Sequence, residues 1–339
     1  MTGIQRIMAA LRGESADRRA VIPVLSLYGA RLTDCSPKEY YTSGEAYARG
    51  QDAVCERFDP DAVIGPFCFA FHGAAWGARL HWFDDQAPSI MNPATRVPDE
   101  LFALTTPDTD TNPWLLPLRI AVRSLARKHG SSRSIAMPLP AAVDLPSLIM
   151  GIEPWLETIL FEPELADRIM QMIVPFFRRL ASAFHSDGAG MIVMPCGFAS
   201  PSMVTREIVT RFSRPWLETS LRDLPIPVIF HHGGAPCNQH LDLLSGLPGV
   251  PAILIDERDD PLCARSMTGT TVILGGPQGP AFHQRPAESI RRICSGILEK
   301  MRTDRHFILA TSGPDIPWDT PPDRIDALFE AAHSEASPQ

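Results

Sequence analysis

No two of the seven cysteines, at 35, 55, 68, 196, 237, 263 and 294, stand as C-x-x-C, and an odd number cannot all pair with one another. That excludes a disulfide-stapled scaffold and ribbon-type zinc sites. The first residues carry no secretory-leader pattern, so we expect free thiols in a reducing, cytoplasmic compartment. No apolar run approaches the length that spans a bilayer. Basic residues are the minority, 31 against 39 acidic, and form no stripe, which argues against a nucleic-acid partner. There is no H-x-x-x-H, no P-loop and no G-x-G-x-x-G after the first strand. Zincin, nucleotide-triphosphate and dinucleotide signatures are therefore absent.

What remains is an ordinary globular composition, 45% apolar over 339 residues, long enough to bury a large core. The 33 prolines, about twice average usage, gather at element ends, as suits a chain of many connections. Thr2 to Gln5 has capping-box spacing, and Ile4, Ile7, Met8 and Leu11 repeat on one helical face. Eight short apolar runs follow, at 20–27, 61–65, 134–137, 191–194, 226–231, 252–255, 271–274 and 306–310. Helical patterns separate them, including Ser36 to Phe58, 113–129, 145–160, 163–186, 202–221 and 286–301. Residues 77–97 read as a small β excursion after the second strand. This alternation predicts a single (β/α)8 barrel (TIM barrel), α/β in class, over residues 1–333, with a disordered tail at 334–339. A doubly wound open sheet is the competitor.

The fifth run, Ile226 to Phe230, leads into His231, His232, Gly233 and Gly234. In a barrel the chemistry sits beyond the carboxyl ends of the strands. Adjacent strand residues point opposite ways, so one histidine should face the mouth and the other the surrounding helices. The ordinary alternative is a pair of polar residues leaving a strand. His231, His232 and Asp256 are the catalytic candidates, with Asp256 as base or orienting group, or else as a helix cap. Tyr28, Arg31, Cys68, His72, Met137, Cys196, Gly275 and Ser312 are expected to line the pocket. Arg31 has the fork geometry for a carboxylate or phosphate ligand, the alternative being a pair with a surface acid. Cys68, Cys196 and Cys237 can equally be inert buried thiols. His231, Cys237 and His240 form a candidate zinc set, since imidazole and thiolate are zinc ligands. Cys237 and His240 are expected to share a helix face; otherwise His240 is a solvated helix residue.

The order of features resembles the uroporphyrinogen decarboxylase superfamily, which also holds the methylcobalamin:thiol methyltransferases. The resemblance rests on Ile22-Pro23-Val24, Glu56 to Ala62, Gly77-Ala78-Arg79, Phe230 to Gly234, Leu274-Gly275-Gly276 and Ile316 to Pro321. It implies a single (β/α)8 barrel. The methyltransferase branch carries H-x-C-G after the fifth strand and a further cysteine before I-P-x-x-T-P, which hold a zinc. Here Gly233 and Pro314 stand at those cysteine positions, so only His231 matches. The decarboxylase branch carries several arginines after the first strand and an aspartate after the second. Here there is Arg31 alone and no aspartate in Gly65 to Cys68. The resemblance therefore implies corrinoid-linked methyl transfer between a small methylated compound or acceptor and a cobalamin carried by a partner protein, with zinc as a candidate metal. The alternatives are a decarboxylase acting on a tetrapyrrole or other carboxylated ring, and a non-catalytic small-molecule-binding barrel that has lost the zinc site.

Overall fold

The structure is a computed structural model in which residues 1–335 are described. Eight strands form one parallel sheet: β1 (Val21–Ile22), β2 (Ala62–Ile64), β5 (Ser134–Pro138), β6 (Met191–Pro195), β7 (Val228–His231), β8 (Ala252–Leu254), β9 (Val272–Gly275) and β10 (Phe307–Ala310). A two-stranded antiparallel hairpin, β3 (Arg79–His81) and β4 (Ser89–Asn92), is the excursion after β2. The order β1-β10-β9-β8-β7-β6-β5-β2 runs around a nearly closed barrel, with helices outside.

Only β1 and β2 lack a ladder between them, and one side chain substitutes for it. The Asp61 backbone N–H donates to the Val21 carbonyl at 3.0 Å, and its carboxylate accepts the Val21 N–H at 2.7 Å. Arg6 and Arg18 neutralise that buried carboxylate at 2.9 and 2.5 Å.

Alternation along each strand divides the core in two. Inward-facing Ile22, Ala62, Ile64, Ala136, Ile229, Leu254, Leu274 and Ala310 form the barrel interior. Outward-facing Val63, Ile135, Met137, Met194, Phe230 and Ile273 pack against the helices. Short inward side chains let the first helix, Gly3–Arg12, contribute Ile7 and Ala10 to the interior cluster. Its capping box is formed by Thr2 and Gln5 as the sequence predicts. Gly3 is obligatory there, because a Cβ would lie 2.2 Å from the Asp61 carbonyl oxygen.

Boundaries shift locally. The helical stretch after Ser36 is two helices, Pro37–Thr42 and Gly44–Phe58, broken at Ser43, which caps the second. The stretch at 202–221 is regular only from Arg206, with a wide π turn over Val209–Ser213. The last helix is Pro322–Glu335, so Ser334 and Glu335 belong to it rather than to a tail; residues 336–339 lie outside the described residues. Among the described residues no helix is long and apolar enough to cross a membrane.

Candidate active site

The loops at the carboxyl end of the barrel are tied to one another by side chains, and most predicted site residues serve in these ties. His231, the last residue of β7, uses both ring nitrogens on backbone. Nδ1 accepts the Gly233 N–H at 3.0 Å and Nε2 donates to the Gly313 carbonyl at 3.1 Å. His232 does not turn to the helices as strand alternation predicts. The strand ends at His231, and the His232 ring folds back and stacks on it, 4.5 Å between centroids and 13° from parallel. The His232 Nε2 accepts the Gly313 N–H at 3.1 Å, which leaves the Nδ1 proton for the Ala235 carbonyl at 3.0 Å. One peptide segment at Gly313 is thus clamped by two imidazoles. Burial lowers both pKa values, His231 to about 3, with its neighbour His232 pushing the same way. Both rings are neutral at physiological pH.

Asp256, just beyond β8, lies 3.7 Å from His232 Nδ1. Burial raises its pKa, but the Arg258 guanidinium at 2.6 Å, the Arg258 N–H and the Gln278 amide at 3.0 Å outweigh that, and the net shift is downward. It is a fixed, paired carboxylate that caps its own loop. The predicted charged run also hides Asp259, whose carboxylate accepts the backbone N–H groups of Cys237, Asn238 and Asp256 and so joins the loops after β7 and β8.

The predicted zinc set does not come together. Cys237 faces Asp259, with its sulfur 3.4 Å from the carboxylate, and burial holds its thiol protonated. His240 lies in a turn, not on a helix with Cys237, and its Nδ1 contacts the Ala199 carbonyl at 3.0 Å; it is buried rather than solvated. Among the described residues no group of three or more His, Cys, Asp or Glu side chains is placed to hold a metal ion. Position 233 is strained and tight for any side chain. Its φ is +72°, and a Cβ would stand 3.0 Å from the Cys196 carbonyl oxygen and 3.3 Å from the Gly197 Cα.

Two further corrections concern the apolar lining. Met137 points outward, into the layer between strands and helices, and so does Cys68; both are fully buried there. Phe67 and Val193, both partly exposed, pack on the barrel interior instead. Phe67 continues into Phe69, with ring centroids 4.7 Å apart. His72 follows, buried, its Nδ1 3.3 Å from the Phe69 carbonyl and its Nε2 without a partner among the described residues, and burial lowers its pKa to about 4.

Tyr28 and Arg31 lie on a short helix, Tyr28–Leu32, and bind the loop after β10. The Tyr28 hydroxyl donates to the Thr320 carbonyl at 2.9 Å, and Arg31 donates to the carbonyls of Trp318 and Thr320. Asp315 secures the same junction by accepting the Ser26 and Leu27 N–H groups, at 2.9 and 2.6 Å. Ser312 accepts the Glu257 N–H through its hydroxyl, and Gly275 packs under Ile255.

Asp144 is the site residue that the sequence did not single out. It follows β5, partly exposed, and its carboxylate accepts the N–H groups of Gly197 (2.6 Å) and Phe198 (3.1 Å) in the loop after β6. Cys196 lies beside it, 3.8 Å from sulfur to oxygen, fully buried and with its thiol held protonated by burial. Burial raises the Asp144 pKa to about 7, although both N–H groups pull it down; burial does the same to Asp315. The only hint in the sequence is a lone acid after the apolar loop Leu139 to Val143.

A family model, uroporphyrinogen decarboxylase (URO-D), matches residues 2–335. The chain belongs to the uroporphyrinogen decarboxylase family. No curated protein matches the sequence. Among solved structures, a methyltransferase from Methanosarcina mazei superposes with a TM-score of 0.89 at 18% identity, covering 99% of this chain and 100% of that one. A B12-independent methionine synthase from a Shewanella species, in complex with selenomethionine, gives 0.56 at 11% identity over 88% and 89% of the two chains. At these identities the likeness is one of fold. Within the family barrel, this member presents neutral imidazoles, near-neutral carboxyls and paired ions at its mouth.

Proposed function

We propose that this family member is a methyltransferase that moves a methyl group between a small methylated compound or acceptor and a corrinoid carried by a partner protein, without a zinc in its own barrel. The observation that carries this reading is the charge-poor mouth. His231 and His232 are neutral, Asp144 and Asp315 have pKa values near 7, and Asp256 is matched by Arg258. When a methyl group leaves a cationic donor for an anionic nucleophile, opposite charges vanish in the transition state, and a site of low polarity favours that change. A substrate with many carboxylates requires the reverse, a cationic mouth. Arg31, the one arginine at the expected place, is already engaged by the carbonyls of Trp318 and Thr320.

The partner's corrinoid supplies the nucleophile or the methyl carrier. This chain holds the small molecule, excludes water and handles the proton. With a neutral methylated heteroatom, the carbon–heteroatom bond breaks with its electron pair on the heteroatom, which takes a proton from Asp144. In the reverse direction Asp144 takes it back. The histidine pair keeps the loops after β7 and β10 together around that event. Its neutral rings add no positive charge.

The test uses purified protein with reduced free cobalamin and, separately, methylamines, betaines, methyl ethers and methyl thioethers, followed by the visible spectrum. Enzyme-dependent formation of methylcobalamin from at least one donor class is expected. The reading is overturned if none of these donors methylates cobalamin, methylcobalamin is not demethylated by thiol or folate acceptors, and uroporphyrinogen instead releases carbon dioxide.

A further inference from the structure

A cleft of about 560 Å³ opens on the rim of the barrel, away from the histidine pair, between the loop after β1, the β3–β4 turn and the loop after β10. Trp82, Phe83 and Trp318 line it together with Asp34, Lys38 and Asp84. The three aromatic residues are each half-buried, so each ring has a face or edge available. Trp82 is fixed from behind by the Phe71 ring, 6.1 Å away and edge-on. The Trp318 backbone is fixed by Arg31. Asp34, Lys38 and Asp84 are exposed, and none has an ion-pair partner among the described residues. Aromatic rings with acidic groups are the environment that retains a methylated ammonium, whose charge is too diffuse for tight hydration but is attracted to ring faces. A single ammonium on the rim, Lys38, disfavours a bare cation and gives a carboxylate its partner.

We propose that this cleft binds a zwitterion of the betaine type, a quaternary methylammonium bearing a carboxylate, with the methyl groups among Trp82, Phe83 and Trp318 and the carboxylate at Lys38. Its role as methyl donor rests on the methyl-transfer reading above; its binding does not.

Calorimetric titration of the full chain with glycine betaine tests the assignment against 3,3-dimethylbutanoate, the isostere in which carbon replaces the charged nitrogen. Saturable binding of betaine is expected, with the isostere weaker by on the order of tenfold. Trp318→Ala and Asp84→Asn should each weaken betaine several-fold, and Lys38→Gln should weaken betaine and isostere alike. Asp84 is on an exposed turn, so its variant tests the charge without disturbing the core. Equal binding of the isostere, unchanged affinity in both Trp318→Ala and Asp84→Asn, or no betaine binding at millimolar concentration overturns the proposal. Binding of betaine without methyl transfer from it to cobalamin supports the cleft and removes only betaine's role as methyl donor. Transfer from another donor class with no betaine binding overturns the cleft and supports the functional reading.

Discussion

Replacing Gly233 and Gly234 separately by alanine asks whether the residue after the histidine pair is glycine for a steric reason. Both have φ in the left-handed region, +72° and +93°, so an alanine at either carries the strain of that conformation, about 1–2 kcal/mol. The surroundings differ. At 234 a Cβ meets nothing within 4 Å, whereas at 233 it lies 3.0, 3.2 and 3.3 Å from backbone atoms of Cys196 and Gly197. Those atoms cannot yield freely, because the Cys196 N–H is bonded to the His231 carbonyl and the Gly197 N–H to Asp144. Displacing them adds overpacking strain of about 1–3 kcal/mol. Gly233→Ala should therefore be less stable than Gly234→Ala by that second amount. Urea unfolding, followed by fluorescence of the six tryptophans, reads the difference in midpoint. Equal stability of the two variants would refute the steric argument. The same geometry bears on metal binding: Gly233→Cys should be destabilised and should not acquire stoichiometric zinc by elemental analysis, although it restores the H-x-C-G pattern. A folded, zinc-loaded Gly233→Cys protein would show that the backbone can open there.

Other consequences are simpler to check. The folded pKa values of Asp144 and Asp315, near 7, lie above the ordinary carboxyl value of 3.8. Between those limits the folded state holds more protons than the unfolded one, so these two groups make stability fall as pH rises from about 4 to 7. Asp144→Asn should flatten part of that slope in denaturant titrations at several pH values; an unchanged slope means the carboxyl is ionised in the fold. Asp61→Ala leaves Arg6, Arg18 and the Val21 N–H without their buried partner at the β1–β2 seam. A loss of about 3–5 kcal/mol is expected from such a broken pair, and a loss under 1 kcal/mol would mean the seam does not depend on it. In native protein, a thiol reagent should find Cys263 first and Cys35 more slowly, with the other five reacting only on unfolding, because they are buried. Rapid reaction of Cys196 or Cys68 would contradict their placement.

Much of this architecture was legible because it is periodic. Eight short apolar runs alternating with helical patterns define a parallel barrel, and every run contains a barrel strand. The capping box at Thr2, the hairpin after β2 and the exit of β7 through two histidines follow from local chemistry. The residues at 233 and 314, glycine and proline, are likewise plain in the sequence.

The site itself was decided by contacts between loops far apart in sequence. Alternation assigns inside and outside only while a strand lasts, so it failed one residue too late, at His232, whose ring is captured by Gly313 from 81 residues away. Met137 failed for the converse reason: it lies within a strand, and its parity sends it to the helices. Proximity in sequence suggested a common face for Cys237 and His240, but a turn separates them, and Asp259 and Ala199 claim them in different directions. Asp144 became visible only when the loop after β6 brought two N–H groups to its carboxyl and burial raised its pKa. Residue types and periods are properties of the chain, whereas desolvation and hydrogen-bond partnership depend on which distant segments enclose a group, and only the closed barrel supplies that.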